Sequence, residues 1–156
     1  MGSDRRPALI ERLTESPVDP LEALIAESEQ SGLTFVRRLA ADWVSRANRF
    51  DQPGEALFVA RIAGRVVGVC GLNVDPYAAS AHVGRVRHLY VGSAHRRLGI
   101  GAQLVTEVIV AARSRFEHLR LRTANPEAAR LYERMGFRRC LDVADCTHLM
   151  EMRGAV

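Results

Sequence analysis

Apolar residues in the first part of this chain recur every three to four positions. Leu21, Leu24 and Ile25 share one face of a predicted helix that opens at Asp19-Pro20-Leu21-Glu22 and stops near Gly32. Asp19 supplies an acceptor suited to an N-cap, and Pro20 suits the first helical position. Phe35, Val36, Leu39, Ala40, Trp43 and Val44 keep the same spacing and predict a second helix. Polar residues with Pro53 and Gly54 then break the pattern over 48–54. Ahead of both helices, residues 7–13 predict a short first strand.

The middle of the chain changes character. Residues 56–60 and 66–74 are strand-like runs, and Ala63-Gly64 between them suits a tight hairpin that needs positive φ. Asp75-Pro76-Tyr77 opens a loop, and a third run covers 82–91. These three runs predict an antiparallel meander. From Ile100 the helical period returns through Gly101, Leu104, Val105, Val108, Ile109 and Ala112. Leu119-Arg120-Leu121-Arg122-Thr123 alternates as a strand does. Asn125-Pro126-Glu127 predicts another capped helix, ended by Gly136. Residues 137–143 and 146–152 form a last predicted strand pair. The order predicts one α+β (mixed α/β) domain over residues 1–156.

Composition narrows the class. A hydrophobic share of 47% and a charged share of 26% are ordinary globular values for 156 residues. No apolar run approaches the ~20 residues that cross a bilayer. The Met-Gly-Ser-Asp-Arg-Arg-Pro start lacks the apolar stretch of a secretory signal, and Arg6 stands where a myristoylation site needs Ser or Thr. A cytoplasmic protein without membrane attachment is therefore expected. Cys70, Cys140 and Cys146 are an odd set without CxxC spacing, which argues against a disulfide framework and a metal site. All 22 basic residues are arginine and the net charge is +4. They are scattered rather than gathered in a stripe, so nucleic acid is not the expected partner. A phosphorylated cofactor remains open.

The sharpest local signal is the strand His88-Leu89-Tyr90-Val91, then Arg96-Arg97-Leu98-Gly99-Ile100-Gly101, then a helix. A helix N-terminus presents unpaired N–H groups and partial positive charge, and glycines let an anion approach them. A diphosphate suits such a loop, although a plain tight turn would use the same two glycines. A Walker loop needs Gly-Lys-Ser/Thr, and this chain has no lysine. A dinucleotide fingerprint needs a third glycine where Leu104 stands. On the next helix Asn125 and Tyr132 lie two turns apart, at a spacing that sets both on one cleft edge with Ala128, Leu131 and Met135 towards the core. A simple N-cap and a core aromatic are the plainer roles for this pair.

Residues 96–101 match the Arg/Gln-x-x-Gly-x-Gly/Ala motif, and the chain here resembles the GNAT superfamily of N-acetyltransferases. Leu89-Tyr90-Val91 is similar to the strand before that motif. Asn125 through Leu131-Tyr132-Glu133-Arg134-Met135-Gly136-Phe137 is similar to the family's second motif. The likeness runs over residues 56–137. It implies a mostly antiparallel sheet of six to seven strands with helices on both faces, and a bulge where the fourth and fifth strands part.

The resemblance also implies chemistry. Acetyl-CoA would be the co-substrate, with pantetheine beside Leu89, Tyr90 and Val91. The diphosphate would meet Arg96, Arg97, Leu98, Gly99, Ile100, Gly101 and Ala102, with Asn125 assisting the cofactor arm. Tyr132 would protonate the departing sulfur. His88, titrating near neutrality beside the bulge, is a candidate base, with Asp75 and Tyr77 as further acceptor-side candidates. Arg85 and Arg87 stand where an acid would otherwise serve, and they could attract an anionic acceptor. The expected reaction is direct acetyl transfer to a primary amine of a small molecule or peptide. A non-catalytic acyl-CoA-binding or sensor module is the alternative, and a homodimer fits family habit.

Overall fold

The computed structural model describes residues 7–152. In chain order the elements are β1 (Leu9–Arg12), α1 (Glu22–Gln30), α2 (Phe35–Ser45), β2 (Ala56–Ile62), β3 (Arg65–Val74) and β4 (Val83–Val91). After a 3₁₀ turn at Ser93–His95 come α3 (Ile100–Arg113), β5 (His118–Leu121), α4 (Pro126–Arg134), β6 (Arg138–Arg139) and β7 (His148–Glu151). The strands make one seven-stranded sheet in the order β1-β2-β3-β4-β5-β7-β6. Every pairing is antiparallel except β4 with β5.

Alternating side chains send β2 and β3 into two cores, which is why both read as nearly continuous apolar runs. Leu57, Val59 and Val69 pack with Leu21, Leu24, Val36 and Leu39 of the α1–α2 segment. Phe58, Ala60, Cys70 and Leu72 pack with Leu104, Val105 and Val108 of α3 on the opposite face. Leu104, Val105, Val108 and Ala112 are fully buried, as the helical spacing predicts.

Two local expectations are corrected. Helix α1 begins at Glu22, not Pro20; Leu21 takes the N-cap position without a side-chain cap. Asp19 instead accepts the Glu22 N–H at 3.2 Å in a preceding turn that buries Leu21 completely. Val44 keeps the helical spacing of α2 yet is 64% exposed, and the buried residues of the helix are Val36, Leu39 and Ala40. The last two strands are shorter than expected. The Cys140 N–H bonds Thr147 O at 2.9 Å and closes a loop in which Asp145 takes positive φ and Leu141 faces solvent.

The β2–β3 hairpin turns through Ala63 at φ 52° and Gly64 at φ 81°. Left-handed backbone costs an alanine of order 1 kcal/mol, whereas asparagine tolerates it. The variant A63N is expected to raise unfolding free energy by about 0.5–1 kcal/mol in urea titrations. An unchanged or lowered midpoint would contradict this.

The sheet opens at its centre. Only residues 83–85 of β4 pair with residues 118–120 of β5, so the second half of β4 has no strand partner on that side among the described residues. In the same half the β3–β4 register slips: Val69 faces Tyr90, but Gly71 faces Arg87. Cys70 therefore opposes both His88 and Leu89. His88 carries φ 60°, the mark of a β-bulge at that point.

Candidate active site

The bulge sorts the side chains of β4. Val86, Leu89 and Val91 turn to the α3 core, while Tyr90 turns to the α1–α2 core. His88 stacks on Phe35 of α2, with ring centroids 6.2 Å apart, and meets Phe50 edge-on. Its Nε2 is buried without a hydrogen-bond partner among the described residues. Burial, and then the charges of Arg87 and Arg38, push its pKa down to about 3. This shift runs against the near-neutral titration expected of His88. Burial that disfavours the imidazolium makes His88 a weak acceptor for the proton of an alkylammonium.

Beyond Val91 the chain turns into α3. Arg96 donates from Nε to Val91 O at 2.9 Å and lays its guanidinium over the Tyr90 ring. The Tyr90 hydroxyl donates to Glu27 at 2.5 Å, and Ser93 donates to the same carboxylate through its N–H and hydroxyl. Burial opposes ionisation of Glu27, yet these bonds hold its pKa below the ordinary carboxylate range. Tyr90 is pushed up to about 12 by burial and by Glu27. Arg96 is therefore a clamp between strand and loop. Glu27 of α1, absent from the sequence-derived candidates, fixes the loop from below.

Arg97 and Gly99 both adopt left-handed backbone, at φ 65° and 81°. Such residues bring successive N–H groups to one concave side. The first intrahelical bond of α3 runs from Gln103 N to Gly99 O, which leaves the Ile100, Gly101 and Ala102 amides without a helical partner. They border a cleft of about 820 Å³ whose walls include Arg96, Arg97, Arg130 and Arg134, with Glu127 as its acid. Arg130 lies three positions after Glu127 and Arg134 three after Leu131, and the two arginines are four positions apart on one face of α4. That spacing could have revealed them. Leu98 is 44% exposed and does not border the cleft.

Helix α4 is turned relative to expectation. Ala128 and Met135 pack on the α3-side core as the spacing implies, but Leu131 borders the amide-lined cleft, which Met135 also reaches, and Tyr132 is the buried residue of the helix. It sits in the α3-side core with Cys70, its ring edge-on to Phe137 and tilted against His148. Packing of an aromatic against Phe137 outweighs the cleft position assigned from spacing alone. Its hydroxyl makes no hydrogen bond among the described residues. Burial, reinforced by Cys70, raises its pKa well above the usual phenol value. Cys70 itself, fully buried, is pushed up to about 12. Asn125 does cap α4, accepting the Glu127 N–H at 2.9 Å, but it borders a separate hollow of about 310 Å³ with Thr123, Cys140 and Thr147. Among the described residues no cluster is arranged to hold a metal, and no helix is long and apolar enough to cross a membrane.

The architecture has close counterparts. A protein from Exiguobacterium sp. 255-15, described as a proposed acetyltransferase, is 27% identical and superposes with a TM-score of 0.80 over 94% of both chains. A GNAT-family acetyltransferase from Staphylococcus aureus Mu50 shares the fold at 17% identity and a TM-score of 0.74, over 94% of this chain and 100% of its own. The ribosomal-protein-S18-alanine N-acetyltransferase from Escherichia coli does so at 15% and 0.69, over 96% and 97%. No curated protein sequence matches the chain significantly. Residues 21–137 match the model of the Acetyltransferase (GNAT) family. With the parted strands, the bulge and the arginine-rich helix terminus already in place, this chain belongs to the GNAT family of acetyltransferases.

Proposed function

We propose that the protein transfers an acetyl group from acetyl-CoA to a primary amine. The observation that carries this reading is the continuity of two features: the unpaired half of β4 with its bulge, and the amide-lined cleft at the start of α3. One supplies free backbone groups beside an opening in the sheet, and the other supplies donors for a diphosphate. The amides of residues 100–102 with Arg97, Arg130 and Arg134 would hold the phosphates. Leu89 and Val91 would flank the pantetheine arm, although Val91 O is already shared with Arg96.

In this scheme the amine lone pair attacks the thioester carbonyl carbon and an oxyanion forms. Its collapse breaks the carbon–sulfur bond, and the sulfur's proton is assigned to Tyr132. That residue packs with Cys70 opposite the bulge rather than on the amide-lined cleft, and would regain its proton from solvent. The amine loses its own proton to solvent, since neutral His88 is too weak a base. Donors aimed at the oxyanion supply about 3 kcal/mol each.

Calorimetry with acetyl-CoA, followed by a coupled thiol-release assay with amines, tests the reading. Binding and turnover are expected, with kcat/KM rising with pH towards the acceptor's own pKa and no inflection near about 6.5. Absence of binding at millimolar acetyl-CoA would refute the function. An inflection near neutrality that disappears in His88→Asn would restore the histidine as base.

A further inference from the structure

We propose that the amine acceptor carries an anionic oxygen group, a carboxylate or phosphate, that docks on Arg85 and Arg87 of β4. This rests on the acetyl-transfer reading and specifies its second substrate. Cross-strand partners share a sheet face. Arg87 faces Gly71, where an added Cβ would strike the Phe50 ring, and Arg85 faces Asn73, which bonds Asn48. Both arginines therefore lie on the α1–α2 side, opposite the α3 core and on the side of the bulge that His88 occupies.

The local ionic groups are poorly hydrogen-bonded. Arg85 is 6% exposed and sits 4.7 Å over the Tyr77 ring. Its nearest carboxylate oxygen, Asp75 Oδ1, is 3.5 Å away and already accepts the Tyr77 N–H. Arg85 Nη1 and Asp75 Oδ2 are both buried without a hydrogen-bond partner among the described residues. Arg87 makes no ion pair among the described residues, and burial together with Arg85 lowers its pKa. Arg120, the register partner of Arg85 on β5, leaves its buried Nε unpaired as well. Arg38 adds a charge felt at His88, and Asp42 one felt at Arg87. Neither Arg85 nor Arg87 thus hydrogen-bonds a carboxylate among the described residues, although Asp75 and Asp42 lie close enough to be felt at Arg87.

A buried guanidinium whose nearest carboxylate stands at 3.5 Å is short of hydrogen-bond acceptors, which a substrate anion would supply. The planar fork of a guanidinium matches a carboxylate or phosphate edge. Arg87 precedes the bulge residue His88 directly, so its Cα lies about 3.8 Å from that of His88. An amine at the bulge and an anion on Arg87 would then belong to one small molecule or one chain terminus.

The test compares transfer rates within matched pairs: amino acids against their α-amides, and phosphoethanolamine against ethanolamine. Acetyl-CoA binding is measured in parallel by calorimetry. The anionic member of at least one pair should have a kcat/KM about tenfold higher or more, the worth of one charge-assisted hydrogen bond. The pair that shows it tells carboxylate from phosphate. In Arg87→Gln this preference should fall to about onefold, with Arg87→Lys keeping part of it. If neutral members react equally well or better, or if nothing is acetylated while acetyl-CoA binds, the proposal is overturned. The wild-type comparison decides this even where Arg87→Gln does not fold. Failure of acetyl-CoA binding itself would instead bring down the transfer reading beneath it.

Discussion

Replacing Tyr132 by phenylalanine should lower kcat by about 10²-fold, at the lower end of what a positioned acid contributes, while acetyl-CoA affinity changes little. The substitution removes one oxygen and keeps the ring that packs on Phe137 and His148. Because the hydroxyl has no hydrogen-bond partner among the described residues, its loss leaves no protein group unsatisfied. Stability should therefore move by no more than a few tenths of a kcal/mol. The raised pKa keeps the phenol protonated at any working pH. Burial that makes a phenolate costly makes a bare thiolate costly too, so the sulfur's demand for a proton rises in the same surroundings. Steady-state kinetics with a calorimetric binding constant separates the roles. Parallel losses of kcat/KM and of cofactor affinity would show Tyr132 to be a packing residue only.

Most of the sheet was legible in the sequence because its strands are buried on one or both faces. The runs that became β2, β3 and β4 have few polar breaks, and Ala63-Gly64 marks the only connection between the first two. Helix α3 was equally plain, since six of its residues are buried at helical spacing. The misread boundaries lie where a cap signal competed with burial. Asp19-Pro20 has the chemistry of a helix start, but Leu21 is buried by a turn that delays the helix. Burial of a leucine contributes about 2 kcal/mol and a cap about 1, so the turn prevails.

The site was legible wherever backbone does the work. Gly99 and Gly101 announce the turn into α3 by type, and Asn125 announces the start of α4 by its place before Pro126, though it borders a separate hollow. Side-chain environments were not legible. His88 looks like a neutral-pH switch until Phe35, Phe50 and Arg87 close around it. Glu27 lies over sixty residues from Tyr90 and Ser93, and no local spacing could join them. The rotation of α4 depended on Phe137 and His148, which claim the Tyr132 ring and turn Leu131 towards Gly101.

That last contact makes Gly101 the position where a single substitution should weaken cofactor binding most. A Cβ built there lies 3.3 Å from Leu131 Cδ2 and 3.9 Å from Val91 Cγ2, contacts that flexible side-chain ends can absorb. Gly101 is in the first turn of α3, where an acid is compatible with the helix dipole. Gly101→Glu should therefore fold. It also places a carboxylate among the three free amides that the diphosphate would need, near Arg97 and Arg130. Two charge-assisted hydrogen bonds lost from a bound phosphate amount to about 3–6 kcal/mol, before any repulsion is added. Acetyl-CoA affinity should fall by at least about 10²-fold, with the melting temperature close to wild type. Gly101→Ala gives the control: its methyl meets Leu131 but adds no charge, so it should cost about tenfold or less. Equal affinities for wild type and Gly101→Glu would mean that the anion is held elsewhere than at the start of α3.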